Sequence, residues 1–506
     1  MGKYQQQFRH AQARQKSFEQ RVEDACRKSG HARPKTRREF LNQGLIAGVS
    51  TVFLPSIATL VAREASAQAA DCVIDNNGLL GAGKIPFLAI DQGGGANIAG
   101  SNVMVGGMGG QEDFLSADGY AKLGLPDAII PQNVGVDRSF GVAMHPDSAL
   151  LRGMLDKTNV GTRANTNGCV IPARSENDTG NNPHNPIYGI ARAGANGEFT
   201  ATIGTRSSES GGRSEAPGSM IVAELRPVRV RNRSDAIGLG GGPDSGFPDG
   251  RVAEASAIIS ALKLGKINEQ QATEDLLQCG YDKTAATFNT LVTEQDLDPD
   301  LDPSLQSIFP NGQLDDGDFR KAAATMKIVV NGYGGAGTIE YGGRDYHQDP
   351  RPETDNKDFI VGQVIGASLE YAAQLNKPLM IYCFSDGSVS ADTGRQEDDG
   401  NGTTKFRWRS DSSSTAASFI LAYSPNGQPT LRNGAASQQL GYFKSSGSVE
   451  TSSSPFANSV DALAEMVVLN YLGLHGEEGR FGMVLDNPGL GTGAAVAPYI
   501  AFNPIV

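Results

Sequence analysis

The sequence predicts an α/β fold with a central, mostly parallel sheet and helices on both faces. Strand-like apolar runs alternate with helix-like segments between residues 85 and 472, a pattern typical of parallel sheets covered by helices. The run 378–384 is apolar throughout, as expected of a strand buried on both faces. About 440 residues follow an N-terminal targeting segment, and this length is ample for one large core.

The first predicted strand leads into a glycine turn. The run 85–90 predicts a short strand that delivers Asp91 into the turn 93–95, an arrangement suited to a site at the carboxyl edge of a sheet. The further predicted elements are a helix at 146–155, a strand at 169–171, a strand over 219–230, a strand at 326–330, a helix at 358–375, the buried strand at 378–384, a strand at 418–423 and a helix at 459–472. Residues 234–320 differ in character and predict a helical insertion in this domain.

The N-terminus carries an export signal. Arg37 and Arg38 precede a Phe-Leu pair, a moderately apolar stretch at 44–62 and the small-residue run 65–69. This order is typical of a twin-arginine signal, so residues 1–67 are predicted to be a signal peptide and 68–506 the mature domain. The twin-arginine translocase is then an expected partner. The protein is expected to be exported already folded, to the periplasm or the extracellular space.

Charge and composition exclude some partners. Residues 1–67 hold 12 Lys and Arg against 5 Asp and Glu, and the remainder holds 32 against 51, a formal net charge of −19. Such an acidic mature chain argues against nucleic acid as a partner. Glycine and proline interrupt the apolar stretch at 44–62, and no second stretch is long enough to span a bilayer, so no integral membrane anchor is expected in the mature chain. A Cys169–Cys279 disulfide is an open alternative to free thiols.

Two further strings have competing interpretations. Residues 332–337 fit G-x-G-x-x-G, but strand and turn residues follow where a nucleotide site needs a helix N-terminus. Aspartates alternate at 296, 298, 300 and 302. This pattern can ligate calcium but lacks the glycine and glutamate of an EF-hand, so a solvated acidic loop is the preferred interpretation.

Four residues are candidate metal ligands. Asp345 and His347 stand two apart on a loop after a predicted strand, and imidazole with carboxylate suits zinc or iron. Asp91 follows the first strand and is a candidate third ligand, while Asp386 follows the buried strand 378–384 and is a candidate fourth. The carboxyl ends of parallel strands share one edge of a sheet, which favours a divalent-metal site there, with zinc, iron or calcium as the candidate ions.

The order of several motifs resembles a known family. The twin-arginine leader is followed by Met-His-Pro at 144–146, Asn-Pro-His at 182–184, Gly-Gly-x-Asp-x-His at 342–347 and Phe-Ser-Asp-Gly at 384–387. With the closing helix at 464–473, they resemble the twin-arginine-exported "domain of unknown function 1501" proteins of the alkaline phosphatase/sulfatase superfamily. This resemblance implies an alkaline-phosphatase-like sandwich, with Asp91 as the first-strand ligand and Asp345 and His347 as the Asp/His pair.

The resemblance leaves the activity open. The family usually has Ser-Glu-Phe-Gly-Arg after the strand, and this chain has Ser-Asp-Gly-Ser-Val at 385–389. The nearest counterpart of the family's Asp-His-Gly is Asp411-Ser412-Ser413, which lacks the histidine. The preferred interpretation is a degenerate or non-catalytic envelope or assembly module, with an envelope protein or a further copy of the chain as its partner. The alternatives are a metal-dependent phosphate- or sulfate-ester hydrolase and an exported redox-cofactor carrier.

Overall fold

The computed structural model describes residues 83–176, 182–239, 294–347 and 349–506. The predicted signal peptide, residues 1–67, lies outside the described residues, as do residues 240–293 of the predicted insertion and Cys279. The described parts of the insertion contain short helices on both sides of that gap. Cys169 is a buried free thiol.

Fifteen strands are found in the described part of the chain. They are β1 (Phe87–Asp91), β2 (Gly94–Gly95), β3 (Asp137–Phe140), β4 (Val142–Met144), β5 (Thr166–Pro172), β6 (Thr200–Gly204), β7 (Val228–Arg229), β8 (Gly334–Glu340), β9 (Arg344–Asp345), β10 (Leu379–Phe384), β11 (Val389–Asp398), β12 (Thr404–Asp411), β13 (Ala417–Tyr423), β14 (Phe443–Lys444) and β15 (Ser448–Val449).

The α-helices of the described residues flank these strands. They are α1 (Ala117–Lys122), α2 (Pro131–Val134), α3 (Ala149–Lys157), α4 (Val160–Ala164), α5 (Ile187–Arg192), α6 (Arg233–Leu239), α7 (Glu294–Leu297), α8 (Pro303–Ile308), α9 (Gly317–Val330), α10 (Arg351–Gln374), α11 (Val460–Leu474) and α12 (Phe481–Val484).

Seven strands of the described residues form the central sheet, in the order β5-β13-β10-β1-β8-β6-β7. All neighbouring pairs are parallel except those that β13 makes with β10 and β5. The predicted mostly parallel α/β sheet is confirmed, and the strand predicted at 378–384 is central, between β1 and β13. The strand predicted at 418–423 is also present, but it runs antiparallel to its neighbours.

The sheet is buried on both faces, as the sequence predicts. Along β1, Leu88 and Ile90 belong to one apolar core, while Phe87 and Ala89 belong to a second core on the other face. Helices α3, α9 and α10 contribute to the first core, and α5, α11 and α12 contribute to the second. This alternation follows from the two-residue period of a strand, and it makes a sandwich of helix, sheet and helix.

The strand predicted at 326–330 is wrong, because these residues form the last turns of α9. The Asp316 side chain caps that helix by accepting from the backbone N–H of Asp318. The strand β8 begins only at Gly334, inside the G-x-G-x-x-G string. A Cβ on Gly335 would lie 1.8 Å from the Ala195 carbonyl oxygen. Gly335 therefore allows close backbone packing, and a strand follows the string where a phosphate site needs a helix N-terminus.

Two other expectations also need correction. The strand predicted over 219–230 is a 3₁₀ turn at Ala223–Leu225 followed by the two-residue β7, and Pro227 between them lacks the N–H that a ladder needs. The acidic string is not a solvated loop throughout. Asp298 is buried and its carboxylate lies 2.5 Å from Arg233, while Asp302 is buried 2.7 Å from Lys327 Nζ.

Candidate metal site at the carboxyl edge of the sheet

Strands β1, β8 and β10 end side by side. Asp91 at the end of β1 pairs with Phe384 of β10 and with Glu340 of β8. The segments that follow these strands, 92–95, 341–347 and 385–388, therefore leave the sheet at one edge. Asp91 ends β1, and Asp345, His347 and Asp386 lie in the segments that follow β8 and β10.

A small parallel ladder holds the segment that contains Asp345. Gly94 and Gly95 of β2 pair with Arg344 and Asp345 of β9. Gly94 has a φ of +141°, and a Cβ on it would lie 2.5 Å from the Asp345 nitrogen. Only glycine accommodates both the conformation and this close approach. The glycine turn after β1 therefore fixes the backbone of Asp345.

Three potential ligand groups lie together beside this ladder. One ligand atom from each of Asp345, His347 and Asp411 lies within 4.8 Å of the other two. His347 Nδ1 is hydrogen-bonded to Asp345 Oδ1 and lies 3.7 Å from Asp411 Oδ1. We call these three residues the triad. Its side chains are about half exposed, and an imidazole with two carboxylates suits a zinc or iron ion while leaving positions for water or substrate.

Asp411 reaches the triad from a hairpin. It is the last residue of β12 and pairs with Val389 at the start of β11. The sequence identifies Asp411 only as the counterpart of a family motif without its histidine. Asp411 comes close to His347 because the hairpin brings it back beside Val389, 22 residues earlier in the chain. No local sequence pattern predicts this contact.

A buried aromatic pair supports the triad from below. Tyr346, between the two ligand positions of its loop, is fully buried and donates a hydrogen bond to Asp358 Oδ1 at 2.7 Å. It packs in one apolar cluster with Trp408, Val389 and Ala96. The loop of Asp345 and His347 is therefore packed directly against the hairpin that carries Asp411.

A buried charge network lies under the same hairpin. Lys405 Nζ lies 2.5 Å from Asp355 Oδ2 and 3.0 Å from Asp399 Oδ2, and all three side chains are buried. Arg351 pairs with Asp355 at 2.8 Å, and its guanidinium lies 4.3 Å from the centre of the Trp408 ring. The network ties α10 to β12 and to the turn that follows β11.

Asp91 is held away from the triad by its own hydrogen bonds. It accepts from the backbone N–H groups of Arg213 and Ser214 at 2.7 and 2.9 Å, and from Ser214 Oγ at 2.9 Å. The loop 205–214 lies so close that a Cβ on Gly212 would be 2.4 Å from Asp91 Oδ2. Burial, and then the charge of Asp386, raise the pKa of Asp91 to about 7. Both of its carboxylate oxygens are thus occupied by protein donors.

Asp386 has a supporting position. Its buried Oδ1 accepts from the Gly94 N–H at 2.6 Å, and its Oδ2 lies 3.7 Å from Arg213 Nε. Of the four predicted ligands, the structure therefore brings Asp345 and His347 together with Asp411, whereas Asp91 and Asp386 lie outside that group and interact with each other in the interior. Asp386 influences the triad only indirectly. It holds the Gly94 turn, and Gly94 pairs with the strand that ends in Asp345.

His184 lies beside this buried pair. Its ring stacks on Phe384 with 6.2 Å between ring centroids, and Asn182 Nδ2 next to it donates to the Asp386 carbonyl at 2.5 Å. Burial lowers the pKa of His184 to about 4, so the ring is neutral at pH 7. Neither ring nitrogen has a hydrogen-bond partner among the described residues. The Asn-Pro-His motif at 182–184 points to this position, but the sequence assigns it no role.

Comparison of the chain with protein-family models, with curated proteins and with solved structures finds no match. The resemblance to the twin-arginine-exported family therefore stays a prediction from its motifs. Among the described residues, no helix has both the length and the apolar character needed to cross a bilayer.

Proposed function

We propose that this protein is an exported, alkaline-phosphatase-like α/β module that binds one divalent cation at the triad. The observation that carries the proposal is the convergence of Asp345, His347 and Asp411 within 4.8 Å at the carboxyl edge of the sheet. Zinc and iron fit this donor set best, since both accept imidazole and carboxylate. The twin-arginine motif at Arg37 and Arg38 supports export in folded form through the translocase.

The module binds rather than hydrolyses in this proposal. A two-metal hydrolase of the superfamily uses the carboxylate after the first strand as a ligand. Here that carboxylate, Asp91, accepts three hydrogen bonds from the loop 205–214 and lies outside the triad. One cation with open positions is then suited to hold an anionic group of an envelope partner or of a second copy of the chain.

A second candidate function is metal-dependent hydrolysis of phosphate or sulfate esters. The position of Arg213 favours this function. Its side chain packs on Gly93. The Gly93 carbonyl accepts a hydrogen bond from the N–H of Arg344, in the strand that carries Asp345. The Arg213 side chain is 32 % exposed. A guanidinium suits an ester anion, and a cation held by the triad would stabilise charge that develops on the ester oxygen.

Metal binding by the purified full chain tests the proposal. After treatment with a chelator, the protein is titrated with Zn²⁺, Fe²⁺, Mn²⁺ and Ca²⁺ by calorimetry, and metal content is measured by elemental analysis. We expect one Zn²⁺ or Fe²⁺ per chain and at least a roughly 100-fold weaker affinity in His347→Ala and Asp411→Asn. Asp392→Asn, on the same hairpin but outside the triad, is the matched control. A wild type that binds none of the four ions overturns the proposal.

Ester hydrolysis separates the two candidate functions. Aryl phosphate and aryl sulfate are incubated with the metal-loaded protein and with metal-loaded Arg213→Gln. Binding without turnover supports the module. Turnover that the chelator and His347→Ala both abolish supports the hydrolase instead.

A further inference from the structure

A lysine and two serines meet at a second place in the fold. Lys122, the last residue of α1, has its Nζ 2.6 Å from Ser448 Oγ and 3.4 Å from Ser414 Oγ. The two serine oxygens are 3.5 Å apart. Ser414 lies in a 3₁₀ turn at Ser413–Thr415, and Ser448 begins β15, so three separate segments converge on one ammonium group.

Lys122 has hydroxyl groups as its side-chain partners. Its side chain is partly buried, and within the described part of the chain no carboxylate lies within ion-pair distance of its Nζ. Burial lowers the pKa of Lys122 from its ordinary value.

Backbone contacts fix this geometry. The Ser116 side chain caps α1 by accepting from the Gly119 N–H, and its Oγ donates to the Ser445 carbonyl at 2.7 Å. A Cβ on Gly119 would lie 2.1 Å from that same carbonyl oxygen. The helix therefore packs by its backbone on the hairpin of β14 and β15. Lys122, one turn further along, is thereby held against Ser448.

We propose that Lys122, Ser448 and Ser414 form a serine–lysine nucleophilic site that reacts with carboxylic esters. This activity goes beyond the proposed metal-binding function. Ser448 is the nucleophile, neutral Lys122 the general base, and Ser414 a positioning residue that holds the Lys122 amine. All three side chains are partly exposed, so a substrate has access to the hydroxyl.

The reaction proceeds in two balanced steps. Lys122 Nζ takes the proton of Ser448 Oγ as the oxygen bonds to the ester carbonyl carbon, the ester C–O bond breaks, and the Lys122 ammonium gives its proton to the leaving alkoxide. Neutral Lys122 then takes a proton from water, whose oxygen bonds to the acyl carbon. The acyl–Ser448 bond breaks, the acid is released, and the proton returns to Ser448.

A fluorophosphonate probe tests the site. Ser448 Oγ forms a bond to phosphorus, the P–F bond breaks, fluoride leaves and Lys122 takes the hydroxyl proton. We expect stoichiometric labelling that mass spectrometry maps to Ser448, and a burst of nitrophenol from nitrophenyl acetate. Ser448→Ala is expected to lose both signals. Ser446→Ala, an exposed serine of the same hairpin, and Lys444→Met are expected to keep both.

Lys122→Arg separates a base from a structural cation. Arginine keeps the charge and the hydrogen bonds but does not lose its proton near neutral pH. We expect labelling of folded Lys122→Arg to slow by about 100-fold or more, with its thermal melting unchanged within a few degrees. Wild-type labelling rates in Lys122→Arg, or labelling of Ser448 no faster than of Ser446, overturn the proposal. The chelator and His347→Ala are expected to leave labelling unchanged, so this result is independent of the metal site.

Discussion

Two groups of carboxylates at the same edge of the sheet have opposite surroundings. Asp91 and Asp386 are buried, and their oxygens accept hydrogen bonds from the backbone of the loop 205–214 and of the Gly94 turn. Asp345 and Asp411 are about half exposed and face one histidine. The difference teaches that an aspartate that follows a parallel strand is not a metal ligand for that reason alone. The neighbouring donors decide whether the oxygens are available.

The buried pair supports the exposed group. Asp386 fixes the N–H of Gly94, and Gly94 pairs with the strand that ends in Asp345. On the other side, Lys405 and Trp408 fix the hairpin that ends in Asp411. The buried polar residues thus determine the positions of the triad side chains, and the exposed residues remain available to a ligand.

The largest expected effect comes from removing a charge from the buried network under the hairpin. Lys405→Met leaves the buried carboxylates of Asp355 and Asp399 without their shared ammonium, so we expect the free energy of unfolding to fall by about 3–5 kcal/mol. Urea denaturation measures it. Lys444→Met removes a half-exposed ion pair with Glu450 and is the control, with a much smaller expected change. Equal losses in the two variants would show that the network adds no stability.

A smaller effect concerns pH. The pKa of Asp91 is raised to about 7, so the folded protein holds a proton that the unfolded chain releases near pH 4. The contribution of Asp91 to stability is therefore complete below about pH 4 and is lost as pH rises through about 7. We expect the stability of the wild type relative to Asp91→Asn to fall by roughly 1–4 kcal/mol between pH 4 and pH 8.

Urea denaturation across this pH range measures the difference between the two proteins. The difference is needed because His184 acts in the opposite direction. Its pKa is lowered to about 4, so its contribution is present above about pH 6.5 and is lost as pH falls through 4. That term is common to both proteins and cancels. Parallel stability profiles of wild type and Asp91→Asn would contradict the raised pKa.

Much of the fold could be predicted because local patterns and packing agree. The apolar runs at 85–90 and 378–384 form central strands, and the helical spacing over 358–375 coincides with α10 except for Leu375, which caps the end of that helix. The run 326–330 misled because five mostly apolar residues fit a strand and a buried helical turn equally well. The Asp316 cap ten residues earlier belongs to the helix and was the missing signal.

The candidate site was predictable only in part. Asp345 and His347 are two apart in sequence, so their proximity follows from spacing alone. Asp411 comes from a hairpin and His184 from a different loop, and neither contact leaves a local pattern. The Asp91 carboxylate accepts hydrogen bonds from the backbone N–H groups of residues 213 and 214, and almost every residue type carries such a group. Hydrogen bonds to the backbone are therefore the part of the site that sequence patterns miss.

The smallest expected effect on stability comes from a substitution in the exposed triad. Without metal, Asp411→Asn is expected to change the free energy of unfolding by no more than about 0.5 kcal/mol, because the side chain is 55 % exposed. With Zn²⁺ at 100 times its dissociation constant, the wild type gains about 2.7 kcal/mol by mass action, and the variant gains far less. Melting temperatures with and without Zn²⁺ measure both quantities. A large loss in Asp411→Asn without metal would show that this carboxylate supports the hairpin, and an equal gain with metal in both proteins would place the cation elsewhere.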